Sequence, residues 1–156
     1  MIDTSKLIWQ DLSCLKSAPK KTVEWLNDEA SLTAKLKQKF ADFSVKVISQ
    51  QQGQPHANEV EIINTKSECV IREVALLGNN KIVVYARSII PLTSDTKDIL
   101  NIGSKPLGEV LFNDTHIKRD SMQITQSDQI WGRRSAFTIG NSKILVSEFF
   151  MEDLYA

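Results

Sequence analysis

The 156 residues set 19 Lys and Arg against 19 Asp and Glu, with 42% hydrophobic and 24% charged residues. That is the composition of one globular domain, residues 1–156, large enough to build a core with a pocket beside it. A formal net charge of zero argues against a nucleic-acid partner, which needs a basic face, yet leaves room for a local basic pocket.

The first 40 residues read as short helical pieces. Residues 22–26 make a couple of turns. Leu32, Leu36 and Phe40 then recur every four residues with Lys35, Lys37 and Lys39 between them, an apolar stripe on a solvated helix that Ser31 or Asp28 can cap. From Phe43 the period changes: Phe43, Val45 and Val47 alternate with polar residues, as in a strand. Residues 50–58 (QQQGQPHAN) form a polar loop and 59–63 another strand. Residues 68–77 and 82–90 are the strongest strands. They are joined across Asn79-Asn80, which tolerate positive φ and so suit a two-residue hairpin turn. Pro91 ends this strand, and residues 93–103 are loop and short helix. Ser104 and Pro106 open a helix that carries Leu111 and Phe112. Residues 117–124, 134–139 and 143–150 are strands, the last two joined by Gly140-Asn141-Ser142. Helices first and antiparallel hairpins after predict an α+β fold, a single antiparallel β-sheet with helices packed on one face.

With Asn79 and Asn80 as the loop, the hairpin pairs Arg72 with Arg87. Two like charges directly opposite on an apolar face are destabilising, unless an anion lies between their guanidinium forks. The alternative is that both point outward, or that each is paired by an acid such as Glu73 or Glu61. Glu148 shares a face with Ile144, Val146 and Phe150. A turn at Gly140-Asn141 sets Arg133 opposite Glu148 as a salt bridge. A turn at Asn141-Ser142 sets Ser135 there instead, and leaves a buried acid of the kind active sites use. Trp131-Gly132-Arg133-Arg134 is either a basic patch beside an aromatic or a core Trp followed by a bend. His56 and His116 sit in polar loops and read as surface or locally bonded groups.

No HExxH, paired CxxC or carboxylate cluster with metal spacing occurs in the sequence, nor does GxGxxG, GxxxxGK or GxSxG. No metal site, bound nucleotide or nucleophilic serine is therefore expected. Cys14 and Cys69 are expected as free thiols in a reducing compartment. The N-terminus lacks the pattern of a signal peptide. No apolar run nears the roughly 20 residues that span a bilayer. A cytoplasmic protein without membrane insertion is the expectation.

Six strings stand in a recognisable order: IREV at 71–74, ARSIIP at 86–91, KPLG at 105–108 followed by Leu111-Phe112, Lys118-Arg119-Asp120, WGRRS at 131–135, and Ser147-Glu148-Phe149-Phe150. From about residue 20 to the C-terminus the chain resembles the chorismate pyruvate-lyase family. These are cofactor-free enzymes that turn chorismate into 4-hydroxybenzoate and pyruvate at the start of bacterial ubiquinone synthesis. The resemblance implies an antiparallel sheet with helices on one side, a monomer, and no metal or organic cofactor. It implies that Arg72 holds the product carboxylate, helped by the main-chain amide of Leu107, and that Glu148 meets the ring hydroxyl. Arg72 and Glu148 would be the catalytic pair. A further main-chain contact falls on Leu32, where methionine is familiar in the family. Arg87 matches the second arginine of the hairpin. A different class of protein, the ligand-sensing UTRA domains of GntR-type regulators, is similar in fold and binds small anions without turning them over. Such regulators carry a winged helix-turn-helix, and the roughly 40 residues before the first strand are too few for one.

Overall fold

The computed structural model describes residues 3–13, 18–28, 31–65, 67–114, 116–120 and 122–156; Cys14 lies outside them. Eight strands form one antiparallel sheet: β1 (Gln10–Asp11), β2 (Phe43–Gly53), β3 (Cys69–Gly78), β4 (Lys81–Pro91), β5 (Lys118–Arg119), β6 (Gln123–Ser127), β7 (Ile130–Ile139) and β8 (Ser142–Phe150). Their spatial order is β1-β6-β7-β8-β4-β3-β2, and β5 pairs with β7 beyond the end of β6. The central strands β4, β7 and β8 are buried over most of their length, because both faces of the sheet are covered.

Three helices cover one face, here the inner face. From α1 (Lys20–Leu26) and α2 (Leu32–Lys39), Trp25, Leu26, Leu36 and Phe40 pack on Val74, Val84, Trp131 and Phe150. From α4 (Leu107–Asn113), Leu107 and Leu111 pack on Ile90, Phe137, Ile144 and Val146. Leu26, Leu36 and Ile144 are wholly buried, each stabilising the fold by about 1.5–3 kcal/mol. Ser31 caps α2 by accepting from the Ala34 N–H at 3.3 Å.

The fourth helix, α3 (Ala57–Ile63), lies over the opposite, outer face, with Ile63 against Cys69, Ile89, Ala136 and Leu145. Residues 59–63 are thus helical, where alternation predicts a strand. Five residues of the form Glu-Val-Glu-Ile-Ile fit both periods. The cap decides: Glu59 accepts from the backbone N–H of His56 at 2.7 Å, and Asn64 closes the helix in the left-handed region at φ 43°. Three further expectations change. β2 runs on to Gly53 through Gln50–Gln52, whose polar side chains suit an edge strand. Residues 117–124 break into β5 and the start of β6. Ser104 is not the cap of α4; Pro106 occupies that position without a side-chain bond.

Two registers determine what each face presents. Asn79 and Asn80 form the β3–β4 turn, both with positive φ of 50° and 68°. One step past the turn, Val83 is an extra residue: Leu77 pairs with Ile82, but Leu76 pairs with Val84. This bulge slips the register by one, and a one-residue slip moves every later side chain to the other face. Arg72 therefore pairs with Ser88, and Arg87 with Glu73, which corrects the expectation that the two arginines face each other. The β7–β8 turn is Gly140-Asn141, with Gly140 at φ 59°, so Glu148 stands opposite Arg133. Gly132 is a mid-strand residue and not a bend. A Cβ there would lie 2.6 Å from the Phe149 ring, while Trp131 belongs to the core.

Candidate active site

The inner face carries a band of short and polar side chains through its apolar core. Arg72, Ser88, Val146 and Ser135 are successive partners across β3, β4, β8 and β7. Two residues along, Ala86, Glu148 and Arg133 form the neighbouring row. Leu32, Leu111 and Phe112 roof this floor, enclosing a cavity of about 20 Å³ beside Glu148, Arg133, Ser135 and Val146. That volume holds about one water, so a ligand of ring size enters only if the roof helices move outward.

Arg72 is 2% exposed. Its Nη1 donates to Gln50 Oε1 at 2.7 Å, and its Nη2 to the carbonyls of Gly103 at 2.8 Å and Lys105 at 3.2 Å. Its Nε is buried with no hydrogen-bond partner. Burial lowers its pKa, and no carboxylate pairs with it among the described residues. A cation taken out of water is costly unless paired. Among the described residues, Gln50 and the carbonyls just before α4 are its hydrogen-bond partners, and the Nε is left over.

Glu148 lies on the same face. Arg133 Nε donates to its Oε1 at 2.9 Å, while Arg133 Nη1 reaches the carbonyls of Trp25 at 3.0 Å and Asp28 at 2.6 Å. Arg133 is 1% exposed, so it both tethers the end of α1 and fixes the carboxylate. Two strand spacings and two residues separate the Cα atoms of Arg72 and Glu148, roughly 12 Å. With both side chains projecting from one face, that interval suits a six-membered ring with a polar group at each end. Leu32 and Leu107 are the first residues of α2 and α4, positions whose backbone N–H groups have no partner within the helix. Leu32 lines the cavity and Leu107 packs on Val146.

The structure does not bring Arg87 to this group. It projects from the outer face, where Nε and Nη2 donate to Glu59 at 2.8 and 3.0 Å and Nη1 to Glu73 at 3.3 Å. Burial works to lower its pKa, but Glu59 and Glu73 outweigh that and raise it. Tyr85, which donates to Glu73, has its phenol pKa pushed far up, first by burial and then by that acid. Arg134 also faces outward. It bonds Gln123 and Asn58, lies 4.4 Å from the centre of the Trp9 ring, and has its pKa lowered to about 10 by burial. His56 bonds Thr4 on the outer side, and His116 is exposed. No group of three His, Cys, Asp or Glu placed to hold a metal occurs among the described residues, and no helix is long and apolar enough to cross a membrane.

Arg119, Ser88 and Ser135 carry no sequence signal of their own beyond the Lys118-Arg119-Asp120, ARSIIP and WGRRS strings. Arg119 enters the site because β5 pairs it with Phe137 on the inner face, where its Nε donates to Ser135 Oγ at 3.1 Å.

An open antiparallel sheet whose inner face holds a buried arginine, with no acid partner among the described residues, under short helices defines a small α+β domain. The family model described as Chorismate lyase matches residues 3–156. A probable chorismate pyruvate-lyase of Pseudoalteromonas translucida (strain TAC 125) is 34% identical, over 94% of this chain and 93% of that protein. Another, of Psychromonas ingrahamii, is 32% identical over 94% and 91%. The chain belongs to the chorismate lyase family. Among solved structures, the C-terminal domain of the histidine utilization repressor of Pseudomonas syringae superposes with a TM-score of 0.55, covering 72% of this chain and 93% of that domain. At 8% identity this is a likeness of fold alone.

Proposed function

We propose that the chain is a chorismate pyruvate-lyase that releases pyruvate from chorismate and leaves 4-hydroxybenzoate, using Arg72 and Glu148 on the inner face of the sheet. The observation that carries this reading is Arg72: a buried guanidinium with a spare donor nitrogen and no acid partner among the described residues, on the same face as Glu148 and against the carbonyls that precede α4. A substrate carboxylate replaces the backbone carbonyls of Gly103 and Lys105 as its partner. Leu107 and Leu32 add main-chain amides to the grip, and Glu148, held by Arg133, accepts the hydrogen bond of the ring hydroxyl.

The chemistry asks little more of the protein. The ether carbon–oxygen bond breaks, the carbon bearing the hydroxyl loses its proton, and the ring becomes aromatic. The enolpyruvyl methylene gains a proton, which completes pyruvate. The driving force lies in the substrate, so the site needs to orient it and stabilise charge at the breaking bond in a water-poor enclosure. Residues of this chain suffice for that, and within this reading the protein works without metal or organic cofactor, as a cytoplasmic monomer supplying 4-hydroxybenzoate for ubiquinone synthesis.

Purified protein, dialysed exhaustively against a chelator, is expected to convert chorismate to equal amounts of pyruvate and 4-hydroxybenzoate. No product would refute the lyase reading, and activity lost on dialysis but restored by a divalent ion would refute its metal independence. A second expectation concerns product. Arg72, Leu107 and Glu148 all contact groups that 4-hydroxybenzoate retains, and binding shared by product and transition state does not speed the chemistry. Release from a closed cavity is then slow. The progress curve should show a burst followed by a slower phase, with 4-hydroxybenzoate a competitive inhibitor. A linear curve indifferent to added product would mean that the site does not grip the aromatic ring.

A further inference from the structure

Chorismate has two carboxylates, one on the ring and one on the enolpyruvyl side chain, and Arg72 answers to the first. On the inner face Arg133 is committed to Glu148, while Arg87 lies on the outer face between Glu59 and Glu73. We infer that Arg119 receives the second carboxylate, the one that departs with pyruvate. This inference rests on the lyase reading and assigns the half of the substrate that Arg72 and Glu148 leave unheld.

Three observations converge on Arg119. The first is its place on the floor. Arg72, Ser88, Val146 and Ser135 run straight across four strands, and Arg119 bonds Ser135 at 3.1 Å. The row thus has an arginine at each end, with Cα atoms of Arg72 and Ser135 roughly 14 Å apart by strand spacing. The second is the position of Glu148, in the next row and on the strand beside Ser135. Glu148 and Arg119 both line the enclosed cavity at the end of the floor away from Arg72. In chorismate the hydroxyl and the enolpyruvyl ether occupy adjacent ring carbons, and the hydroxyl is across the ring from the ring carboxylate. One pose then satisfies all three groups: ring carboxylate at Arg72, hydroxyl at Glu148, side-chain carboxylate at Arg119.

The third is access. Arg119 and Phe112 line both the enclosed cavity and an open cleft of about 720 Å³ that also includes Asp11, Leu12 and Met122. The Arg119 guanidinium lies 5.4 Å from the centre of the Phe112 ring and 5.5 Å from that of Phe137. The two rings, themselves in edge contact at 6.2 Å, both attract the guanidinium and help to hold it in place, and its fork suits a carboxylate.

Because 4-hydroxybenzoate lacks the side-chain carboxylate, Arg119 should distinguish substrate from product, which a merely structural residue would not do. Arg119→Met and Arg119→Lys are compared with the natural protein for kcat/KM with chorismate and for the dissociation constant of 4-hydroxybenzoate. Arg119→Met is expected to lower kcat/KM by about 10- to 100-fold, the loss of one charged hydrogen-bonding partner, with product affinity unchanged. Arg119→Lys should fall between the two. Preserved product binding in the same sample shows that the cavity is folded. Unchanged kcat/KM, or a parallel loss of kcat/KM and product affinity, would overturn the assignment and leave the lyase reading standing. A natural protein that binds 4-hydroxybenzoate yet forms no product from chorismate would overturn the lyase reading and this inference with it.

Discussion

Arg72→Ala is expected to lose nearly all turnover of chorismate while keeping its fold. Arg72 is buried with no acid partner among the described residues, so its removal strands no carboxylate among them. It gives up only the bonds to Gln50 and to the Gly103 and Lys105 carbonyls, which water can replace once the arginine side chain is gone. The substrate, by contrast, loses its only cation at the ring carboxylate. Truncating one partner of a buried charged hydrogen bond costs on the order of 2–5 kcal/mol, or about 30- to several-thousand-fold in kcat/KM. Arg72→Lys should recover only part of this, since an ammonium is a point charge and cannot reproduce a planar fork. Steady-state kinetics beside thermal melting decide the matter. A folded Arg72→Ala protein with near-normal kcat/KM would show that this arginine does not hold substrate.

The opposite pattern is expected at Arg87. Glu59 is 3% exposed and bonded by Arg87 through two nitrogens, with Glu73 on the third. Arg87→Ala leaves Glu59 charged and buried without its partner, a loss that typically costs about 3–5 kcal/mol. For a chain of this length that is a fall in Tm of roughly 6–20 °C. The protein that remains folded at low temperature should keep near-normal kcat/KM, because Arg87 projects from the face away from Arg72 and Glu148. An unchanged Tm with turnover abolished would return Arg87 to the substrate, and with it the symmetric two-arginine site that simple hairpin arithmetic suggests.

These two arginines mark how far the sequence could be read. The Asn79-Asn80 turn and both of its strands are legible because asparagine tolerates the positive φ they adopt. The bulge at Val83 is not, since nothing in Lys-Ile-Val-Val-Tyr distinguishes an extra valine from a paired one. That one residue sends Arg87 to the other face. The β7–β8 turn had two readings that differ by one residue, and only the pairing of Ile139 with Ser142 selects the one that joins Arg133 to Glu148. The α2 stripe of Leu32, Leu36 and Phe40 is plain in the sequence and packs as expected. Residues 59–63 are too few to separate the two periods, and the deciding contact, Glu59 back to the His56 N–H, is a cap and not a periodicity. Arg119 was beyond reach for a topological reason. A two-residue strand at the edge of β7 has no periodicity at all, so only the assembled sheet brings Arg119 beside Ser135.

The central claim is the location of the site: the inner face, between Arg72 and Glu148. A crystal structure of the protein grown with 4-hydroxybenzoate tests it most directly. The product carboxylate should lie against the Arg72 guanidinium, with the Gly103 and Lys105 carbonyls moved off it, and the hydroxyl should lie against Glu148, its carboxylate still held by Arg133. The starts of α2 and α4 should stand farther from the floor than they do around the present cavity of about 20 Å³. Product bound instead at Arg87 on the outer face, or confined to the open cleft outside Phe112 with Arg72 still on its two carbonyls, would contradict the account.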